Sequence, residues 1–207
     1  MFITFEGGEG VGKSTHAKLL SERLIRQGYN VLLTREPGGT KIGEEIRKFI
    51  KSSNANNIDA YTETLLFLAA RVEHLKTIII PALNAGKIVI CDRFHDSTVV
   101  YQGICKGVDI NWINSEYFKI PFAMNPDLTF LIDCDVRVSL SRVRNRNKKN
   151  RTLDEHFDIL PKCFHEKVRN GFLLLAKKHK DRFFICTGEL QELHDIIYKE
   201  AIKYLVH

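Results

Sequence analysis

The run Gly7-Gly8-Glu9-Gly10-Val11-Gly12-Lys13-Ser14-Thr15 constrains this chain more than any other stretch. It follows an apolar segment, Phe2 to Phe5, and opens into a helical pattern reaching about Gln27. G-x-x-x-x-G-K-[ST] therefore stands in the strand, loop and helix context that it requires. Glycines let successive backbone N–H groups turn toward phosphate oxygens, and the following helix adds unpaired donors and the positive end of its dipole. Lys13 is placed to reach β- and γ-phosphates, and Ser14 to offer its hydroxyl to a Mg²⁺ ion bridging them. The motif predicts nucleotide binding but not which chemistry, since the same loop serves kinases, motors, switches and DNA-handling enzymes.

Four further apolar runs, Tyr29 to Thr34, Lys87 to Cys91, Asp127 to Ile132 and Arg182 to Cys186, read as strands buried on both faces. Between them apolar residues recur at spacings of three and four in Thr62 to Ala85, Val136 to Arg146, Glu155 to His179 and Glu189 to Tyr204. The alternation predicts an α/β fold of the P-loop NTPase type: three αβα layers, a five-stranded parallel sheet, and helices on both faces. With 207 residues, 44% of them hydrophobic, the chain suits one domain spanning 1–207.

Ligands of such sheets bind beyond the carboxyl ends of the strands. After the second strand, Arg35-Glu36-Pro37-Gly38-Gly39-Thr40 makes a turn, with Thr40 a candidate N-cap for a helix from Lys41 to Ser52. After the third, Asp92 is a candidate for the metal's shell and Arg93 a planar fork for phosphate. Asp133, after the fourth, competes for the metal, although turn or capping roles suit it and Asp135 better. Strand adjacency would decide between them, and spacing does not give adjacency. Phe67 and Arg71 share a helix face, where ring and guanidinium could grip a planar base. Taken alone, the pair reads as a core phenylalanine and a solvated arginine.

The net charge of +6 invites a nucleic-acid reading, but much of the excess lies in the block Arg142 to Arg151. A protein holding two phosphorylated substrates needs such charge anyway. Five scattered cysteines without a C-x-x-C pair read as small core hydrophobes in a reducing compartment, with no zinc site. No apolar run approaches the roughly 18 residues of a membrane span, and no basic segment leads into a signal core. A cytoplasmic location and no membrane partner are expected.

The segments resemble the thymidylate kinase family through nearly the whole chain. The resemblance rests on the Gly7 to Thr15 loop, Thr34-Arg35-Glu36-Pro37-Gly38-Gly39, Phe67-Leu68-Ala69-Ala70-Arg71, Asp92-Arg93-Phe94 with Ser97-Thr98 and Tyr101-Gln102-Gly103, and Asn125-Pro126-Asp127-Leu128-Thr129. It implies transfer of a phosphoryl group from ATP to dTMP, giving dTDP, with Mg²⁺ as cofactor. It also implies that Gly7 through Thr15 and Arg142 bind ATP. For dTMP it implies that Glu9 meets the sugar 3′-hydroxyl, Phe67 stacks on thymine and Arg71 meets a base carbonyl. Thr98 and Gln102 would line the base pocket, Pro37 and Ser97 would also bind dTMP, and Tyr101 would crowd the 2′ position. Arg35, beside Pro37, and Arg93 would hold the dTMP phosphate, with Ser14 and Asp92 serving the metal. A homodimer through the helices around Thr62 to Ala85 and Asp92 to Gly103 is implied, with no nucleic-acid partner.

The resemblance also implies a lid at about 142–156 that closes over ATP. Gly10 follows Glu9 where some members carry the transition-state arginine, so this chain is similar to the kind that supplies it from the lid. The family's D-R-x-[ED] element has its nearest counterpart in Glu155-His156-Phe157-Asp158, with histidine in the arginine's place. That departure moves the expectation to Arg146 and Arg151, which join Lys13 and Arg93 as catalytic candidates. Phe94 replaces the more frequent tyrosine.

Overall fold

The computed structural model describes residues 1–52, 58–150 and 160–205. The strands are β1 (Phe2–Glu6), β2 (Val31–Arg35), β3 (Ile88–Asp92), β4 (Leu128–Ile132) and β5 (Phe183–Cys186). They pair in parallel in the order β2-β3-β1-β4-β5. β1 is central, so the loop it feeds is flanked by the carboxyl ends of β3 and β4. The helices among the described residues are α1 (Lys13–Arg26), α2 (Lys41–Lys51), α3 (Ala60–His74), α4 (Ile80–Asn84), α5 (His95–Thr98), α6 (Ile110–Phe118), α7 (Val136–Asn150), α8 (Lys162–Lys178) and α9 (Leu190–Leu205).

Alternate side chains of the central strands serve opposite faces. Ile3, Phe5, Ile90 and Phe130 pack with Leu20 and Leu24 of α1 and Ile197 of α9. Phe2, Val89 and Cys91 meet Leu68 of α3, Ala82 of α4 and Tyr117 of α6, while Leu131 meets Val168 and Phe172 of α8. Each fully buried Leu or Phe contributes about 1.5–3 kcal/mol over an exposed one. The buried Thr4 and Thr129 hydroxyls bond each other at 2.9 Å, so polar groups inside the sheet are satisfied.

Several boundaries differ from the sequence reading. β2 and β5 are edge strands, and Leu33 and Ile185 are exposed there; continuous apolar runs do not distinguish edge from centre. The helix expected over Thr62 to Ala85 starts at Ala60 and widens into a π turn at Leu75–Ile79 before Pro81. Proline has no N–H for the carbonyl four residues back, and the wider turn absorbs that loss. A second π turn, Val99–Cys105, continues α5. The helix expected from Glu155 begins at Lys162: Pro161 takes its N-cap and disfavours helical geometry at Leu160, while 151–159 lie outside the described residues. α7 runs to Asn150, so the basic block from Arg142 to Asn150 rides on a helix rather than on turn-prone sequence. Of the five cysteines, Cys91 and Cys186 are buried as expected, but Cys163 is exposed on α8.

Candidate active site

A cleft of about 770 Å³ opens at the carboxyl ends of β1, β3 and β4. Its floor is the loop from Glu9 to Thr15; Gly7 and Gly8 lie behind it, lining a separate small pocket. Gly7 adopts φ +137°, and a Cβ there would stand 2.5 Å from the Ile132 carbonyl oxygen. Gly10 adopts φ +69°, and its Cβ would meet the Ser139 carbonyl at 2.3 Å and Val143 at 2.7 Å. Helix α7 therefore fills the space that a side chain after Glu9 would need. From the same helix Arg142 and Arg146, one turn apart, line the cleft, whereas Arg144 is exposed outside it. Arg151 lies outside the described residues.

Lys13 is buried at the loop's end and donates to the Gly8 carbonyl at 2.5 Å. Burial and the nearby Arg93 hold its pKa down to about 8, against the pull of Asp92, Glu9 and Glu6. Ser14 donates its hydroxyl to Asp92 Oδ2, and Asp92 Oδ1 is buried with no hydrogen-bond partner. An orphaned carboxylate oxygen beside the loop's hydroxyl suits a hard divalent cation, which takes oxygen ligands. Strand adjacency does not separate the two carboxylates, since β3 and β4 both flank β1; their partners do. Arg169 of α8 occupies both Asp133 oxygens, at 2.6 and 2.8 Å, an ion pair that the sequence reading missed. Asp135 caps α7 through the Arg137 N–H at 2.8 Å, and Thr40 caps α2 through Gly43 at 2.9 Å, both as expected.

Arg93 is the hub between the loop and the rest of the cleft. Its backbone sits at φ +69°, a region that non-glycine residues seldom occupy, and its N–H bonds the Phe5 carbonyl at 2.9 Å. The guanidinium donates to the Gly7 carbonyl and Ser97 Oγ, each at 3.1 Å, and to Glu9 Oε1 at 3.0 Å. Tyr101 donates to the same Glu9 carboxylate at 2.6 Å. Burial would raise the Glu9 pKa, but His165, Arg93, Lys13 and Tyr101 together bring it down to about 2. Beneath this group Glu6, fully buried at the end of β1, accepts from the Phe94 N–H at 2.8 Å and from Ser97 Oγ at 2.6 Å. Burial and the nearby Asp96 push its pKa up to about 7, against Ser97, Arg93 and the Phe94 N–H.

At the far end, half-buried Phe67 and buried Arg71 line the cleft with Thr98 and Gln102. Arg71 is not the solvated residue that its position alone suggested: it is 2% exposed and donates to Glu36 Oε2 at 2.8 Å. It also donates to Thr98 Oγ1 at 3.0 Å and to His95 Nδ1 at 3.3 Å. His74 bonds the other Glu36 oxygen at 3.0 Å. Burial would raise the Glu36 carboxyl, but Arg71 and His74 hold it below the usual range. Burial and Arg71 depress His95 to about 4, so the neutral ring accepts from Arg71 and gives its Nε2–H to Asn114 at 2.9 Å. Arg35 and Pro37 border the cleft, with Arg35 half-exposed and bonded to Glu44 at 3.1 Å.

Every described residue that the sequence reading gave to ATP, dTMP, the metal or catalysis, apart from Gly7 and Gly8, thus borders one cleft. The supporting groups were not legible. Glu36 sat inside a quoted motif, and His74 follows Arg71 at helical spacing, so a search for what neutralises Arg71 would have found both. Glu6 is a lone carboxylate at the end of an apolar strand. His165, with Nδ1 3.6 Å from Glu9, left no signal at all.

The thymidylate kinase family model matches residues 5–197. A thymidylate kinase of Chlamydia felis is 44% identical over 190 residues, covering 91% of this chain and 89% of that protein. One from Wolbachia pipientis wMel is 44% identical over 204 residues, 98% of each. The crystal structure of thymidylate kinase from Ehrlichia chaffeensis superposes with a TM-score of 0.75 at 38% identity, covering 99% of this chain and 98% of that one. With motif, fold and near-complete coverage in agreement, the chain belongs to the thymidylate kinase family.

Proposed function

We propose that the protein transfers the γ-phosphoryl group of ATP to dTMP, producing dTDP, in a single domain spanning the chain. One observation carries this reading: a single continuous cleft joins the phosphate loop to the Phe67–Arg71–Thr98–Gln102 end, with Arg93 between them. Two phosphorylated substrates entering from opposite ends would meet over Lys13 and Arg93.

Phosphoryl transfer demands two anions brought in line, water excluded and the moving charge neutralised. The acceptor phosphate is largely deprotonated near neutral pH, its second pKa being about 6, so no strong base is required. Loop N–H groups and Lys13 hold the ATP phosphates, Arg93 with Arg35 orients the acceptor phosphate, and Arg142 contacts ATP. Glu9 and Tyr101, bonded to each other and to Arg93, face the acceptor's sugar. Phe67 stacks on the base, Arg71 meets a base carbonyl, Thr98 and Gln102 complete that side, and Ser97 bonds Arg93 nearer the phosphate. Ser14 and Asp92 would hold Mg²⁺, which would supply neutralisation of the phosphate charge. The crowding of Gly10 by α7 favours a transition-state arginine from that helix, and Arg146 lines the cleft. Arg151 stays a candidate on the resemblance alone.

No helix among the described residues is long and apolar enough to cross a membrane; a cytoplasmic location remains part of the proposal. The placing of Arg142 and Arg146 in the cleft favours small anionic substrates over nucleic acid. A homodimer through α3 fits its exposed Tyr61 and Leu65. The segment from Asp92 to Gly103, expected to share in that interface, is instead buried within the chain or faces the cleft.

A coupled ADP-release assay with ATP and Mg²⁺ tests the reading against dTMP, dUMP, UMP, dCMP, dGMP, AMP and thymidine. Preference for dTMP is expected. Preference for another acceptor would overturn the base pocket, and ATP hydrolysis without any acceptor would overturn the kinase reading.

A further inference from the structure

The base end of the cleft is held from behind by a second buried carboxylate. Glu63, in the first turn of α3, is 3% exposed. Its Oε2 accepts from Gln102 Nε2 at 3.0 Å and from Lys106 Nζ at 2.6 Å. The Gln102 backbone is fixed as well, its carbonyl accepting from the Val108 N–H at 3.0 Å. A carboxylate salt-bridged to lysine offers acceptors only, so it can bond just one end of an amide. The NH₂ must face Glu63, and the carbonyl oxygen is turned the other way. Gln102 lines the cleft, and no hydrogen bond from the described residues reaches Oε1.

We propose that Glu63, salt-bridged to Lys106, is a positioning residue that locks the Gln102 amide with its oxygen toward the cleft. It thereby selects a pyrimidine whose N3 carries a proton over one whose N3 is a lone pair. The inference rests on the proposed dTMP reading and adds to it the group that sets the base discrimination. Arg71 works in the same sense. Three of its N–H groups are spent on Glu36, His95 and Thr98, and of the five it carries the remaining ones point a donor at a base carbonyl rather than an amino group. A thymine edge presents an acceptor to Arg71 and a donor to Gln102, and a cytosine edge presents the reverse at both. With Gln102 free to flip, half of that test would be lost, since an amide serves equally well as donor or acceptor.

The test is the ratio of kcat/KM for dTMP to that for 5-methyl-dCMP, in the wild type and in Glu63→Gln, Gln102→Ala and the double variant. A glutamine at position 63 can itself flip, so the Gln102 amide is no longer locked. The dTMP preference should fall by about tenfold, roughly one hydrogen bond's worth of discrimination, through KM for the nucleotide monophosphate. ATP KM should stay within about twofold. In the Gln102→Ala background Glu63→Gln should cause no further change, because its effect runs through that amide. Glu63→Asp, still an acceptor only, should recover the preference. An undiminished preference in Glu63→Gln, or an equal loss in the Gln102→Ala background, overturns the role of Glu63. A wild type that does not phosphorylate dTMP overturns the proposed function instead. Should Glu63→Gln not fold, wild-type binding of dTMP and its N3-methyl derivative decides: about tenfold weaker binding of the derivative supports the locked oxygen, and equal binding overturns it.

Discussion

Replacing Glu36 by glutamine isolates the ion pair that holds Arg71 at the base end of the cleft. The partners stand 2.8 Å apart, with side chains 2% and 4% exposed, and His74 closes the other carboxylate oxygen at 3.0 Å. Glutamine keeps the shape but removes the charge and turns an NH₂ toward a donor, leaving the guanidinium buried without its counter-charge. Breaking a buried pair at one partner costs about 3–5 kcal/mol. At this chain length each kcal/mol moves the melting temperature by about 2–4 °C, so Glu36→Gln should melt roughly 6–20 °C below the wild type. Calorimetry at pH 7 reads the shift. The double variant Glu36→Leu with Arg71→Met should recover much of it, since apolar side chains of similar size can replace a buried pair, yet it should lose dTMP binding. The pH dependence gives an independent check. The Glu36 carboxyl is depressed in the folded state, so its contribution is full above the ordinary carboxylate range and fades as pH falls through the depressed value. The gap between wild type and Glu36→Gln should therefore shrink in acid. A melting temperature within about 2 °C of the wild type at pH 7, or a gap that widens in acid, would refute the reasoning.

Arg146→Ala, and separately Arg151→Ala, should lower kcat while leaving dTMP KM nearly unchanged, as loss of a transition-state contact does; normal turnover in both would remove the lid helix from the chemistry. Asp92→Asn should raise the Mg²⁺ concentration for half-maximal rate by about 10–100-fold, read by titration at saturating ATP. Glu6 has its pKa raised to about 7 in the fold, so the folded state binds the extra proton and loses stability as pH rises through that value. Chemical denaturation from pH 5 to 8 should show Glu6→Gln gaining on the wild type as pH rises, and parallel curves would contradict that.

The sequence alone determined the local pieces. A glycine-rich loop between a strand and a helix needs no distant partner to be recognised, because its backbone geometry is set by its own residues. Apolar runs placed the strands to within a residue or two, and Thr40 and Asp135 announced the helix starts that they cap. Boundaries failed where a proline inside the apolar pattern decided them, as at the π turn before Pro81 and the late start of α8 behind Pro161. Only the tertiary structure distinguishes the surroundings of Asp92 and Asp133. Both follow strands that flank β1, but Arg169 from α8 neutralises one and leaves the other with an unpartnered oxygen. The same holds for Arg71, which local pattern reads as solvated until Glu36, from beyond β2 and itself held by His74, is seen to neutralise it. A buried charge is stable only with its counter-charge, and a partner tens of residues away along the chain leaves no periodic mark in the sequence.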